Sequence, residues 1–213
     1  MADPSNFPRP APLPPVAGER LTLLPDPRFT AAIPIIEERL EVTGRQVTGD
    51  NFASLLDSLM ERMIADAFAD ARTHVGIILL LGDDARELTV AYQVGSVGAD
   101  WRGRRIPAGQ GRRGLVLASQ QAFCGNHQQT DPLQDHSIEA EMGAVVSAEI
   151  IVPFYFARQL KGLVVALQMK PRPEAPDPDG FSREALEVIE LLSTSLGRLL
   201  DYRLICSALG MEM

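Results

Sequence analysis

Apolar residues recur at helical spacing in three stretches of the chain and at strand spacing in four. The strongest helical stretch runs from about Asn51 to Arg72, where Phe52, Leu55, Leu56, Leu59, Met63 and Ala67 form one stripe and Asp57, Glu61 and Asp66 lie outside it. Asp50 or Asn51 is placed to cap its free amides. A second helix opens at Ser182 and carries Ala185, Ile189, Leu192, Leu196 and Leu199 at alternating spacings of four and three. The third, Phe29 to Val42, is short and holds Ile33, Ile36 and Leu40, with Gly44 and Gly49 breaking the pattern after it.

The strand signals come in two pairs. Val75–Leu81 is apolar throughout, as a central strand covered on both faces requires. Glu87–Val94 alternates, with Leu88, Val90, Tyr92 and Val94 on one side, and Gly82-Asp83-Asp84 supplies the turn between the two. The second hairpin is Ala148–Phe156, a turn at Ala157–Lys161, and Gly162–Met169. Pro153 cannot donate to a ladder and so belongs at an edge or a bulge. Between the hairpins, residues 95–147 are irregular and rich in Gly, Arg, Gln and His. They leave room for a helix at Gly114–Gln120, a strand near Ala122–Gly125 and a short helix near Ser137–Met142. The order helix, hairpin, insertion, hairpin, helix predicts an α+β domain with a central antiparallel sheet. Its long terminal helices cover one face and the insertion walls a cleft on the other.

Proline density sets the boundaries. Eight prolines fall within residues 1–27, which reads as a flexible N-terminal arm, or less simply as a Pro-rich ligand for a partner. Residues 28–49 form a helical lead-in, 50–205 the domain, and 206–213 a C-terminal tail. With 213 residues, 46% hydrophobic and 23% charged, the chain can bury a full core without disulfide or metal staples. A net charge of -8 argues against nucleic acid as a partner. No apolar run is long enough to span a bilayer, and the start lacks the character of a secretory signal. With only two cysteines, Cys124 and Cys206, a cytoplasmic protein is expected.

Candidate chemistry concentrates in the insertion. Gly109-Gln110-Gly111-Arg112-Arg113-Gly114 matches the dinucleotide fingerprint by letter, but no βαβ unit surrounds it, so its glycines are read as turn formers. Arg102, Arg104, Arg105, Arg112 and Arg113 offer either an anion-binding edge or a solvated, charge-balancing loop. Trp101 beside them could stack on a planar ligand or anchor packing. Cys124, His127, Asp131, Asp135, His136 and Glu139 include metal-binding side-chain types. Their spacing matches no compact zinc motif, so a polar, ligand-contacting wall is the better reading and no metal is expected.

Over roughly residues 50–205 the sequence resembles the GAF family. Arg105–Val116 looks like that family's glycine turn leading into a small helix, and Phe123–Pro132 like its following strand and Asp-Pro loop. Ser147–Phe154, with Val152-Pro153, and Leu160–Leu167, with Lys161-Gly162, resemble its second hairpin. Phe181-Ser182 opens the last helix as expected. The resemblance implies a sensory module that binds a small ligand in the cleft and dimerises through its terminal helices. It names no particular cofactor, since such clefts take chemically diverse ligands. The candidate cleft residues are Trp101, Arg104, Cys124, Asn126, His127, Asp131, His136, Glu139 and Met142. The candidate dimer face is Leu55, Leu59, Leu192, Leu196 and Leu199.

Residues 136–145 also resemble the helix that carries the bilin-binding Cys-His pair in phytochrome-type members. Here Gln134-Asp135 stands where the cysteine is expected, which does not support covalent attachment. One branch of the family reduces free methionine sulfoxide with clustered cysteines. Cys124 lacks an evident resolving partner, so a non-enzymatic module is expected. With no recognisable output segment after residue 205, signalling to a separate protein is the expectation. A ligand-free interaction scaffold and a thiol-dependent enzyme are the rival readings.

Overall fold

The computed structural model describes residues 27–95, 100–126 and 145–211. Chain order gives helix α1 (Pro27–Arg45), a 3-10 turn (Phe52–Leu55), α2 (Ser58–Asp70), β1 (Val75–Leu81), β2 (Glu87–Val94), β3 (Arg105–Pro107), α3 (Gly111–Ser119), β4 (Phe123–Asn126), β5 (Val145–Phe156), β6 (Gln159–Lys170) and α4 (Arg183–Ala208). The six strands form one antiparallel sheet in the order β3-β2-β1-β6-β5-β4. The expected α+β architecture is therefore present. The helix predicted near Ser137–Met142 lies outside the described residues.

The two strands at the centre bury side chains on both faces, which is why β1 shows no alternation. Ile78 and Leu80 point into a core shared with α1, α2 and α4, built around Phe52, Ile64, Phe68, Phe154, Ile189 and Leu196. Val75, Ile77 and Leu79 point the other way, into a second core with Trp101, Val116, Ile151 and Leu163. The sheet thus separates a helix face from a face covered by α3.

Three helix expectations are corrected. The helix predicted from Asn51 to Arg72 is broken. Leu56 is extended, and Asp57 caps a new helix by accepting the Met60 N–H at 2.9 Å. Asn51 is used elsewhere, accepting from the Thr48 N–H and donating to the Gln46 carbonyl. Restarting the helix at Ser58 moves its buried stripe to Met60, Ile64 and Phe68, and leaves Leu59 68% exposed. The lead-in helix is also longer than predicted, because Gly44 lies inside it. A Cβ there would sit 2.1 Å from the Cβ of Ala157, so glycine permits contact rather than ending the helix. In α4 the buried line drifts from Leu196 to Leu200 and Leu204, leaving Leu199 half-buried.

The second hairpin is tighter than predicted. Its turn is Ala157-Arg158 alone, both at positive φ (49° and 62°), the twist that suits a two-residue hairpin loop. Strand β4 pairs with β5 only from Ala148 to Ile151, so Pro153 lies beyond that ladder. There α4 closes the edge. Ser193 Oγ donates to the Pro153 carbonyl at 2.9 Å, and Gly197 lies against the Tyr155 carbonyl, where a Cβ would come within 2.1 Å of the oxygen.

Candidate functional site

The face covered by α3 carries the charged side chains of interest. Strand β3, too short and proline-ended to be read from sequence, pairs with β2 and brings the chain to Gly109. Gly111 has φ +60° and starts α3. Gly114 lies so close that a Cβ would be 2.6 Å from the Gly109 carbonyl carbon. The glycine motif therefore folds a loop tightly onto the first turn of a helix. The preceding strand is antiparallel, which removes the dinucleotide-binding context.

That turn buries two arginines. Arg112 and Arg113 are 4% and 8% exposed, and Arg112 Nη1 lies 3.4 Å from Glu149 Oε2 on β5. The Arg112 guanidinium also stands 5.3 Å from the centroid of the Phe123 ring. From sequence these arginines read either as an anion-binding edge or as a solvated, charge-balancing loop. Arg104 and Arg105 fit that description, being exposed, while Arg112 and Arg113 do not. Glu149 went unnoticed, although a single acid inside the apolar run of β5 is itself a signal of a buried partner.

Trp101 sits in the same core, 4% exposed. Its backbone N–H donates to Gln93 Oε1 at 2.9 Å, and the neighbouring loop is braced by the Asp100–Arg102 pair, whose hydrogen bonds hold the Asp100 carboxyl down at about 2. Its indole Nε1 has no hydrogen-bond partner among the described residues. Buried tryptophans usually find an acceptor, so this donor is a place for one. Arg104 keeps its backbone in the loop by donating to the Trp101 carbonyl at 2.9 Å, with its side chain exposed.

Two expected cleft residues lie on the wrong side of the sheet. Cys124 pairs with Ile150 and Asn126 with Ala148, and residues directly opposite in an antiparallel ladder share a face. Ile150 and Ala148 belong to the helix-face core, so Cys124 and Asn126 turn toward α4. Phe123, opposite Ile151, faces the other way and packs on the α3 side. Asn126 has a structural task, accepting the Phe181 N–H at 2.8 Å and donating to its carbonyl at 3.0 Å. His127, Asp131, His136, Glu139 and Met142 lie outside the described residues. No group of three metal-ligating side chains occurs among the described residues.

Thiol chemistry finds little support in this geometry. Desolvation by the surrounding chain pushes the thiol of Cys124, an exposed residue, above its ordinary value, which lowers its thiolate fraction at neutral pH. Cys206 is 3% exposed inside α4. Alkylation of Cys124 by iodoacetamide is expected to rise with pH to a midpoint above that of a free cysteine peptide. A midpoint below the peptide's would show an activated thiol.

The expected dimer face is corrected in part. Leu192 and Leu196 are 2% and 0% exposed, consumed by the chain's own core. Leu55 and Leu199 pack partly against that core, and Leu59 alone of the five is fully on the surface.

No family model matches the sequence, and no curated protein matches it either. Solved structures do match. The blue-light-absorbing form of the Thermosynechococcus elongatus PixJ GAF domain is 18% identical, covering 67% of this chain and 85% of that one, with a TM-score of 0.51. The red/green cyanobacteriochrome NpR6012g4, in its red-light-absorbing state, is 13% identical over 72% of this chain and 97% of its own, with a TM-score of 0.54. The green-light-absorbing state of TePixJ is 16% identical over 71% of this chain and 91% of its own, at 0.53. The fold of this chain is that of a GAF domain. No helix among the described residues is long and apolar enough to cross a membrane.

Proposed function

We propose that the chain is a cytoplasmic, non-enzymatic sensory module that takes a small ligand against the α3 face of its sheet and signals through its terminal helices to a second copy or a separate protein. The observation that carries this reading is the set of polar groups gathered there. Arg112, Arg113 and Glu149 are buried on that face, and Trp101 offers a buried N–H with no acceptor among the described residues. A ligand with an apolar body and a hydrogen-bond acceptor suits such a floor, in which fixed polar groups set orientation. Of the residues named from sequence, Trp101 and Arg104 remain with this site. His127, Asp131, His136, Glu139 and Met142 remain candidates for its far wall. The N-terminal arm, lead-in and domain are the proposed division of the chain, and the last helix of the domain runs to Ala208, into the segment set apart from sequence as a tail.

The dimer face of this reading moves to the outside of α4. Leu191, Tyr202 and Leu209 are 66%, 60% and 49% exposed; a spacing of 11 puts Leu191 and Tyr202 on one line of α4, and Leu209 follows as its C-terminal cap. The line lies opposite the buried Ile189 and Leu200. Signalling requires the ligand to favour one arrangement of the terminal helices over another.

Native mass spectrometry of gently purified protein tests both parts. The wild type is expected as a dimer carrying a discrete extra mass. Trp101→Phe keeps the ring but removes the donor, and is expected to lose most of the bound species. Leu191→Glu with Tyr202→Glu is expected to give monomer. Wild-type protein at its calculated mass, unchanged in melting temperature by a metabolite panel, would favour the ligand-free scaffold. A wild-type monomer at high micromolar concentration would remove the dimer.

A further inference from the structure

We infer that α1 is a releasable helix and that the β5–β6 hairpin tip is its latch. The helix is weakly seated. Among residues 30–45 only Leu40 and Gly44 are buried, while Ile33, Ile35 and Val42 are about half exposed or more. Pro34 lies in its interior and removes one helical hydrogen bond. Its main neighbour is α4, toward whose end Arg39 donates to the Ala208 carbonyl at 3.3 Å.

The hairpin tip reaches across to it. Arg158 pairs with Glu37 and also with Glu41, one turn further along the same face, at 3.6 Å in the second case. Ala157, fully buried, fills the notch left by Gly44. The same tip is fixed to α4 from below, because the Ala157 N–H donates to the Asp201 carboxylate. One two-residue turn therefore grips both terminal helices, and holds α1 by the Ala157–Gly44 contact and by two partly exposed ion pairs. Such pairs are individually weak and sensitive to salt, which suits a contact made to be undone. Release would leave α4 and the sheet intact and uncover the flank of α4 that α1 covers. The latch needs no ligand and acts whether or not the cleft is occupied.

Hydrogen exchange of the full chain, followed by mass spectrometry, tests it. Arg158→Gly removes the guanidinium and also relieves the left-handed backbone at that position, so loosening cannot come from a strained turn. In Arg158→Gly, and in Glu37→Gln with Glu41→Gln, peptides over 36–45 are expected to exchange roughly three- to tenfold faster. Peptides over 185–204 are expected to stay unchanged, and Arg158→Lys to recover part of the protection. Unchanged exchange in α1 would overturn the inference. So would equal acceleration of α1, α4 and the sheet, which would make the tip a support of the whole domain.

Discussion

Alanine in place of Gly197 is expected to destabilise the domain by about 2–4 kcal/mol, read as a lower urea midpoint at an unchanged slope. The sign is the informative part. In an exposed helix interior the same change stabilises by up to about 1 kcal/mol, since glycine is a poor helix former. Here the added methyl would stand 2.1 Å from the Tyr155 carbonyl oxygen and 3.3 Å from its carbon. That is far inside van der Waals contact, and both atoms belong to backbone that cannot step aside alone. Helix α4 must move outward by about an ångström, which strains the Ser193–Pro153 hydrogen bond and loosens Leu196 and Leu200 from the sheet. A neutral or stabilising result would mean that α4 does not lie on the β5 edge at this distance.

Replacing Arg112 by methionine is expected to cost about 3–5 kcal/mol, because it takes the guanidinium from a carboxylate that is itself buried. The pair as a whole need not stabilise the fold, since each charge gave up its hydration to be there. Arg112→Met combined with Glu149→Leu should therefore recover much of the loss, with a coupling of at least about 1.5 kcal/mol in a double-mutant cycle. Additive losses would mean that the two side chains act separately. A recovered double variant that no longer holds the bound mass would show that the ion pair serves the ligand more than the fold.

Most of the sheet is readable from the sequence, because burial writes itself into the period of the chain. Val75–Leu81 has no alternation and proves to be covered on both faces, and Ser182 caps α4 by accepting the Ala185 N–H. The failures have local causes. Asp57 reads as a polar residue on the outer face of a helix, yet its carboxylate accepts the Met60 N–H while the Asn51 side chain is engaged with Thr48 and Gln46, so the helix restarts and its stripe turns by one residue. Strand β4 is four residues long, too short for its own pattern to say which side faces inward. Only its pairing with β5 decides that, and it sends Cys124 away from the cleft. The leucines of α4 are misplaced for a related reason: periodicity marks the buried line strongly, and Leu192 and Leu196 belong to that line rather than to the surface. Much of the cleft wall named from sequence falls on residues 127–144, so its chemistry rests on composition alone.

The placement of Trp101 has a spectroscopic consequence. It is the only tryptophan in the chain, and it belongs to the core on the α3 side of the sheet. Indole emission is therefore a local reading of that half of the interior. Far-ultraviolet dichroism, dominated by α1, α2 and α4, reads the other half. The two signals divide the molecule along its sheet, so their coincidence or separation in one titration tells whether the two cores melt as one.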